Sequence, residues 1–452
     1  MTATAPDPTG AADPTDAAHE TGAAAAAGPA PGGDGLILAL FLTPTGWTPS
    51  QRSPGSVVPQ VIGNALRAQD AKFHAVFLAD SWELRRDWGP IGLQAPEPIG
   101  LLNHLAATTD DIGLIGTAST TWSEPYNLAR QFATLDLLSD GRAGWNIVTS
   151  YTGAPNFGVG PVDHAERYRR AEEFVRVVDR LWDSWGEGAI EVRGDGGIRV
   201  HPEHIHPIDH RGEHFTVAGP LNLPRTPQGR PLHVQAGASE HGVALAARHA
   251  ELVFTPQPFD DVAKEFRDRL HAAFADTGRT DAPPRVLTGV RPVIAHSREE
   301  ARAKFRSAVE SQPPEQARLR FEAMIGRSLA DFALDELLPR DLVDAVDPER
   351  WTGNQSFYEI TRRSINSGVT LRELLVTDQH WRIIGSVEDI VDRLSERFEG
   401  DATDGYNLIV NDPESFDLFL GEVVPELQRR GLFRSEYSGR TLREDVAAAG
   451  RP

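Results

Sequence analysis

Cysteine is absent from all 452 residues, which excludes disulfides, thiolate metal sites, cysteine nucleophiles and iron–sulfur clusters in one step. The same absence suits a reducing compartment, and a cytoplasmic protein is expected. Positive charge is scarce as well. With 45 Lys and Arg against 65 Asp and Glu the net charge is −20, so no basic face is on offer for a phosphate backbone and nucleic acid is not the expected partner. Nor does any apolar run reach the ~18 residues that would read as a membrane-spanning helix. The first basic residue is Arg52, so a secretory signal with its charged start is not expected.

Residues 1–34 hold twelve Ala among Pro, Gly, Thr and Asp, with no Val, Ile, Leu or aromatic side chain to bury. Such a segment cannot offset the entropy of ordering and is expected to be a disordered tail. From residue 35 onward, short apolar runs alternate with longer amphipathic segments. The runs are GLILALFL (35–42), HAVFLA (74–79), IGLIGT (112–117), AGWNIV (143–148), LHVQA (232–236), LVFTP (252–256), VLTGVRPVI (286–294) and GYNLIV (405–410). Near-continuous apolar strands suit a parallel sheet buried on both faces. Helical periodicity falls between them at 59–71, 98–109, 127–138, 165–185, 239–250 and 260–276, and in the 165–185 segment Phe174, Val177, Val178, Leu181, Trp182 and Trp185 share one face. Eight strand–helix repeats predict an α/β fold of the (β/α)8 TIM-barrel class, one domain over 35–445. Two stretches break the repeat: 186–229, rich in Gly, His and Pro, reads as a hairpin excursion, and 312–386 as a polar, partly helical insertion before the last strand.

Barrel enzymes build their sites where strands end, so polar residues at those positions come first. Asp80 ends the second run, Thr117 the third, Asn146 to Ser150 follow the fourth, and Ser239 follows the fifth. Each has a plain alternative: Asp80 suits a helix cap, and Ser239 suits an N-cap as well as it suits an anion held at a helix start. His164 and Tyr168 are four apart at the head of a helix, which puts both on its first turn facing the rim, or packs them locally. His201, His204, His206 and His210 lie in a Pro-rich loop without metal-ligand spacing, and no metal site is expected. The chain has neither a Walker A segment nor G-x-G-x-x-G, and its QAGASEHG (235–242) is one residue too long for a serine-hydrolase elbow.

A set of motifs then fits one known pattern. SDGRAGWNIVTS (139–150), NFG (156–158), RYRRAEEF (167–174), HRGEHF (210–215), GPLNLPRTPQGRP (219–231), QAGAS (235–239) and VVPELQRRGLFR (423–434) together resemble the flavin-dependent monooxygenase branch of the bacterial-luciferase-like superfamily, in the family's order over 35–443. The resemblance implies an FMN-dependent monooxygenase, the large component of a two-component system. Reduced FMN (FMNH2) would come from a separate NAD(P)H-dependent flavin reductase and react with O2 to a flavin C4a-(hydro)peroxide that oxygenates a small organic substrate. It also implies a homo-oligomer. Asp80, Thr117, His164, Tyr168 and Ser239 resemble the family's cofactor-binding positions, the same residues that the strand ends single out. Such chemistry needs a dry pocket, and closure by the 312–386 insertion is the expected means.

One departure stands out: the family's His-containing segment after the first strand reads here TPTGWTPSQR (43–52), with Trp47 and no His. No catalytic residue is therefore assigned. The competing readings are a deazaflavin (F420) oxidoreductase of the same superfamily, a non-catalytic flavin-binding barrel, and a hydrolase using Ser239. Arg52, Arg85, Arg86 and Arg225 are the candidate rim cations for an anionic substrate.

Overall fold

The computed structural model describes residues 35–42, 57–83, 96–160, 162–194, 196–311, 314–342, 355–376, 379–410, 412–437, 439 and 441–450. The 1–34 tail, the 43–52 segment with Trp47, and Arg85 and Arg86 lie outside these residues.

All eight predicted runs are strands: β1 (Ile37–Phe41), β2 (Ala75–Leu78), β3 (Gly113–Ser119), β4 (Ala143–Val148), β5 (Leu232–Gln235), β6 (Leu252–Thr255), β7 (Arg285–Ile294) and β8 (Gly405–Leu408). Each pairs in parallel with the next, and β8 returns to β1 with Ile37 opposite Gly405, which closes the barrel. Alternation along the strands makes two cores. Ile37, Ala39, Phe77, Ile115, Val234, Phe254 and Leu287 fill the interior, while Leu38, Val76, Leu114, Trp145 and Tyr406 face the helices. The N-terminal mouth of the barrel is plugged by the helix Leu442–Ala448, whose Leu442 and Val446, with Ala449 just beyond, join the interior cluster. Gly113 faces this plug because a Cβ there would lie 2.4 Å from Leu442 Cδ1. Gly35 and Gly450 exchange backbone hydrogen bonds of 3.0 and 2.9 Å beside it.

The helices that matter for the site are α1 (Val57–Asp70), α2 (Pro98–Ala106), α3 (Pro125–Leu138), α4 (His164–Trp182), α5 (Glu240–His249) and α6 (Asp260–Ala275). Asp163 caps α4 by accepting from the N–H groups of Ala165 and Glu166 at 2.9 and 3.2 Å. The α4 stripe of Phe174, Val177, Val178, Leu181 and Trp182 is buried as expected, but Trp185 lies beyond the helix end and donates to the Leu221 carbonyl at 2.7 Å. Part of the Ser139–Arg142 motif proves to be architectural. Buried Arg142 donates to Ser139 O, Thr109 O, Thr109 Oγ1 and Ile112 O at 2.7 to 2.9 Å, pinning the turns that feed β3 and β4 at the far end from the rim.

The 186–229 stretch forms two antiparallel hairpins, Ile190–Val192 with Ile198–Val200 and His210–Arg211 with Thr216–Val217. Buried Glu173 of α4 anchors the second by accepting from His210 Nε2 (2.8 Å), His214 N (2.9 Å) and Phe215 N (3.0 Å). The 312–386 stretch is less polar inside than its composition suggests: Phe321, Leu338, Tyr358, Ile365 and Leu374 make a small core of their own. Its end is a strand, Trp381–Gly385, which runs parallel beside the C-terminal half of β7, with Trp381 opposite Val290. Trp381 and Ile383 alone face the core, too short an alternation to register as a strand in the sequence.

One polar contact ties α4 to α5. Glu172 accepts from Arg248 Nε and from His249 Nε2, both at 2.9 Å. Burial alone would raise the Glu172 carboxyl, but the hydrogen bonds and charge of His249 and Arg248 overcome it and hold the group at about 2. We expect Glu172→Gln to cost about 1–3 kcal/mol at neutral pH in urea unfolding. Because the carboxylate is depressed on folding, its contribution is complete above about pH 5 and fades as pH falls toward 2, so the gap between wild type and variant should close over that interval.

Candidate active site

The rim residues fall into three groups. The outer group brings together three of the predicted positions. Tyr168 Oη lies 3.4 Å from Ser239 Oγ, and the His164 and Tyr168 rings are 5.0 Å apart on the first turn of α4. Ser239 is the N-cap of α5, taking the Gly242 N–H at 3.2 Å, so the capping and the site readings hold at once. A fourth residue was missed by sequence reasoning. His241 sits 5.1 Å from the His164 ring and 5.5 Å from the Tyr168 ring, inside the QAGASEHG run whose only flagged residue was Ser239. His164, Ser239 and His241 are exposed and Tyr168 is half-buried. Desolvation, then the Arg167 guanidinium and His241, lower the His164 imidazole below its ordinary value, against a small opposing pull from Asp163.

The middle group lies inside the barrel. Thr117 on β3 and Asn146 on β4 are register partners and both buried, and Asn146 Nδ2 donates to Thr117 Oγ1 at 2.8 Å. That leaves Asn146 Oδ1 as a buried acceptor with no partner among the described residues, facing the space above the interior core. Asp80 follows β2, the strand that pairs with β3. Its helix-cap alternative is excluded because Glu97 caps α2, accepting from Ile99 N and Gly100 N at 2.8 Å. Burial raises the Asp80 carboxyl; the Ser81 N–H opposes this and nearby Glu97 adds to it. Loops from β2, β3 and β4 are locked over this side. Phe157 stacks on Trp122 at 4.9 Å and meets Trp82 edge-on, Asn156 Nδ2 donates to Trp82 O at 2.7 Å, and Gly153 N donates to Glu83 at 3.0 Å.

The third group is a set of rings carried by β1, β2 and β6. Phe41, Phe77 and Phe254 contact one another with centroids 5.4 to 5.9 Å apart, and His380 stacks on Phe254 at 5.6 Å. Gly289 permits this, since a Cβ there would lie 2.3 Å from His380 Nδ1. His380 immediately precedes the added strand, so the 312–386 insertion contributes an imidazole to the mouth.

Other candidates fall elsewhere. Arg225 approaches Asp183 at 3.8 Å, past the end of α4 and so at the far end of the barrel from the rim. His201 bridges Glu191 and Glu203 at 3.0 and 3.2 Å, and His210 belongs to the Glu173 anchor. Among the described residues the metal-like grouping is Glu166, Glu213 and His214, where Arg169 already pairs with Glu166.

The family model for luciferase-like monooxygenases matches residues 38–404. The chain belongs to that family. Nitrilotriacetate monooxygenase component A of Aminobacter aminovorans is 43% identical over 366 residues, 78% of this chain and 79% of that protein. N-acetyl-S-(2-succino)cysteine monooxygenase of Bacillus subtilis is 40% identical over 390 residues, 84% of this chain and 87% of that one. Among solved structures, a riboflavin lyase with modified FMN and riboflavin superposes with a TM-score of 0.75 at 28% identity, covering 92% of this chain and 96% of that chain. The chain is accordingly an enzyme that incorporates oxygen, and the deazaflavin and non-catalytic readings lose ground to the monooxygenase.

The position of Asp80 gives a test of function against stability. A half-buried carboxyl whose ionised form is disfavoured costs the fold stability at neutral pH. Asp80→Asn should raise the urea midpoint at pH 7 while weakening flavin binding, and a variant that loses both would make Asp80 structural.

Proposed function

We propose that this luciferase-like monooxygenase is the oxygenating component of a two-component system. It takes reduced FMN from a separate NAD(P)H-dependent flavin reductase and, with O2, oxygenates a small organic substrate. The observation that carries this reading is the juxtaposition of an exposed hydroxyl–imidazole cluster on α4 and α5 with a buried, ring-lined barrel mouth beside it. The first suits a phosphate at the end of a chain and the second suits a flat heterocycle. A relative named as component A, and a structural neighbour holding modified FMN, support the two finer points.

The residues fit the group. Ser239 and Tyr168 offer hydroxyls, the first-turn N–H groups of α5 offer partial positive charge, and His164 adds an imidazole. Asn146 Oδ1 is a buried acceptor still in need of a donor, and a flavin ring edge carries N–H groups. Bound reduced flavin supplies the electrons that activate O2. The protein holds the ring edge at Asp80, Thr117 and Asn146, fixes the tail at α4 and α5, and keeps water out with the Trp82, Trp122 and Phe157 cluster.

The substrate side is the mouth lined by Phe41, Phe77, Phe254 and His380. His380 supplies on this side the imidazole that the 43–52 segment lacks. In this reading the 312–386 insertion closes the mouth, held to α6 by the Arg363–Asp261 ion pair of 2.8 Å and by Arg363 lying over Phe259.

The purified chain should bind reduced FMN anaerobically and consume O2 only when a reductase and NAD(P)H are present. Ser239→Ala or His164→Ala should weaken reduced FMN by about tenfold, the loss of one charge-assisted hydrogen bond, as read by anaerobic fluorescence titration. Wild-type protein that fails to bind reduced flavin would refute the proposal. His380→Ala should leave flavin affinity intact while raising the share of O2 released as H2O2, and unchanged coupling would remove His380 from the mouth's function.

A further inference from the structure

Asn407 lies in the middle of β8 with none of its surface exposed, and neither its Oδ1 nor its Nδ2 has a partner among the described residues. Turning the amide over changes nothing, because both ends lack one. A buried donor and a buried acceptor left unpaired destabilise a fold, and the packing gives no reason for an amide here. Its register partners are Ala39 on β1 and Gly289 on β7, neither of which brings a polar side chain.

The register also fixes its level in the barrel. Phe77 is opposite Ile115 and Ile115 opposite Gly144, so Asn146 lies two strands round and two residues on. The same step leads from Asn146 through Val234 and Leu252 to Phe254, and from Phe254 through Leu287 and Gly405 to Asn407. A last step through Ala39 and Ala75 returns to Phe77. This stagger is the one by which a closed eight-stranded barrel brings alternate strands to one level, so Phe77, Asn146, Phe254 and Asn407 share a layer. The Phe77 and Phe254 rings meet across it with centroids 5.4 Å apart and divide it in two. Asn146, bonded to Thr117, lies in one half and Asn407 in the other.

The layer above is built by β1, β3, β5 and β7 from Phe41, Thr117, Ala236 and Gly289. Over Asn407 it therefore offers Phe41 on one flank and no side chain at all on the other. The place left by Gly289 is taken by His380 of the insertion, stacked on Phe254 at 5.6 Å. A ligand that enters from the mouth and displaces this imidazole meets Asn407 at the bottom of the gap.

We propose that Asn407 is a specificity-determining residue that receives the head group of the substrate, an uncharged group with a hydrogen-bond donor and acceptor side by side, the edge that a carboxamide or lactam presents. This rests on the proposed monooxygenase function and adds the substrate class to it. The Asn407 amide carries the complementary acceptor and donor, so such a head forms two hydrogen bonds and leaves no buried polar atom unmet. Phe77, Phe254, Ala39 and Gly289 around it bring no charge to offset a buried carboxylate, and a hydrocarbon leaves the amide unpaired. The flavin ring edge belongs to the other half of the layer, with Thr117 and Asn146.

The test is calorimetric titration of the full chain with benzamide, benzoate and ethylbenzene, under anaerobic conditions, with and without reduced FMN. Wild type should bind benzamide about 10- to 50-fold more tightly than either of the others, the worth of two neutral hydrogen bonds. Asn407→Leu keeps the volume and removes the polar atoms. It should bind benzamide no better than ethylbenzene, keep its affinity for reduced FMN, and unfold at the same or a higher urea concentration, since an unpaired amide has gone. Asn407→Ala, which fits even where Leu is too bulky, should lose the same preference. A wild type without the preference, or one that binds benzoate as tightly as benzamide, would overturn the proposal, as would a preference that survives in both variants. Loss of reduced FMN affinity in both variants would assign the amide to the flavin and overturn it too. Wild-type protein that fails to bind reduced FMN defeats the proposed function, while the benzamide preference of the flavin-free chain still decides this inference on its own.

Discussion

The registration of α4 against α5 is the constraint on which the rim depends. Residues 164, 168 and 172 are spaced four apart, so one stripe of α4 carries His164, Tyr168 and Glu172. The two helices run the same way down the outside of the barrel. At the top His164 and Tyr168 meet His241 and Ser239, and two turns lower Glu172 takes both Arg248 and His249 at the end of α5. A slide of either helix by a single turn would break the upper and lower contacts together. The lower pair, being partly shielded and charge-assisted, is thus the element that keeps the hydroxyls and imidazoles of the upper pair within reach of one another.

Behind that interface stands a second device with a different logic. Glu173, next in sequence to Glu172, turns the other way and anchors the His210–Val217 hairpin through an imidazole and two backbone N–H groups. Two adjacent carboxylates on α4 therefore orient an excursion on one flank and a neighbouring helix on the other. Trp145, Phe174 and Trp182 fill the space beneath, with Trp145 meeting Phe174 at 5.9 Å and Trp182 at 6.2 Å. A separate set of rings, Phe41, Phe77 and Phe254, packs inside the barrel, with His380 stacked on Phe254.

Much of this was legible in the chain, and the reasons are specific. The eight strands announced themselves because burial on both faces makes each a nearly unbroken apolar run, and the first turn of α4 did so because His164 and Tyr168 stand four apart at its head. Where the reading stopped, the missing information was tertiary. His241 is an ordinary residue in its own helix and becomes part of a cluster only when α4 lies alongside it. Arg142, part of a motif that marks the family, works at the opposite end of the barrel from the rim. The Trp381–Gly385 strand has only two core-facing residues and exists because β7 outruns β6, leaving an open edge to cover. Arg225 looked like a rim cation because linear sequence does not say which end of a barrel a loop reaches.

The backbone exchange between Gly35 and Gly450 bears on how the molecule comes into being. The strand that opens the barrel is bonded at its start to the segment that follows the plug helix, and β1 and β8 zip together next to it. During synthesis, β1 can complete neither its second ladder nor its floor until almost the whole chain has emerged. The inner core must therefore wait, half-built, with Ile37 and Ala39 lacking Leu442 and Val446 for company. Contacts so distant in sequence make for slow closure and a long exposure of apolar strands, a vulnerability that heterologous expression of this enzyme would meet before any question of its chemistry arises.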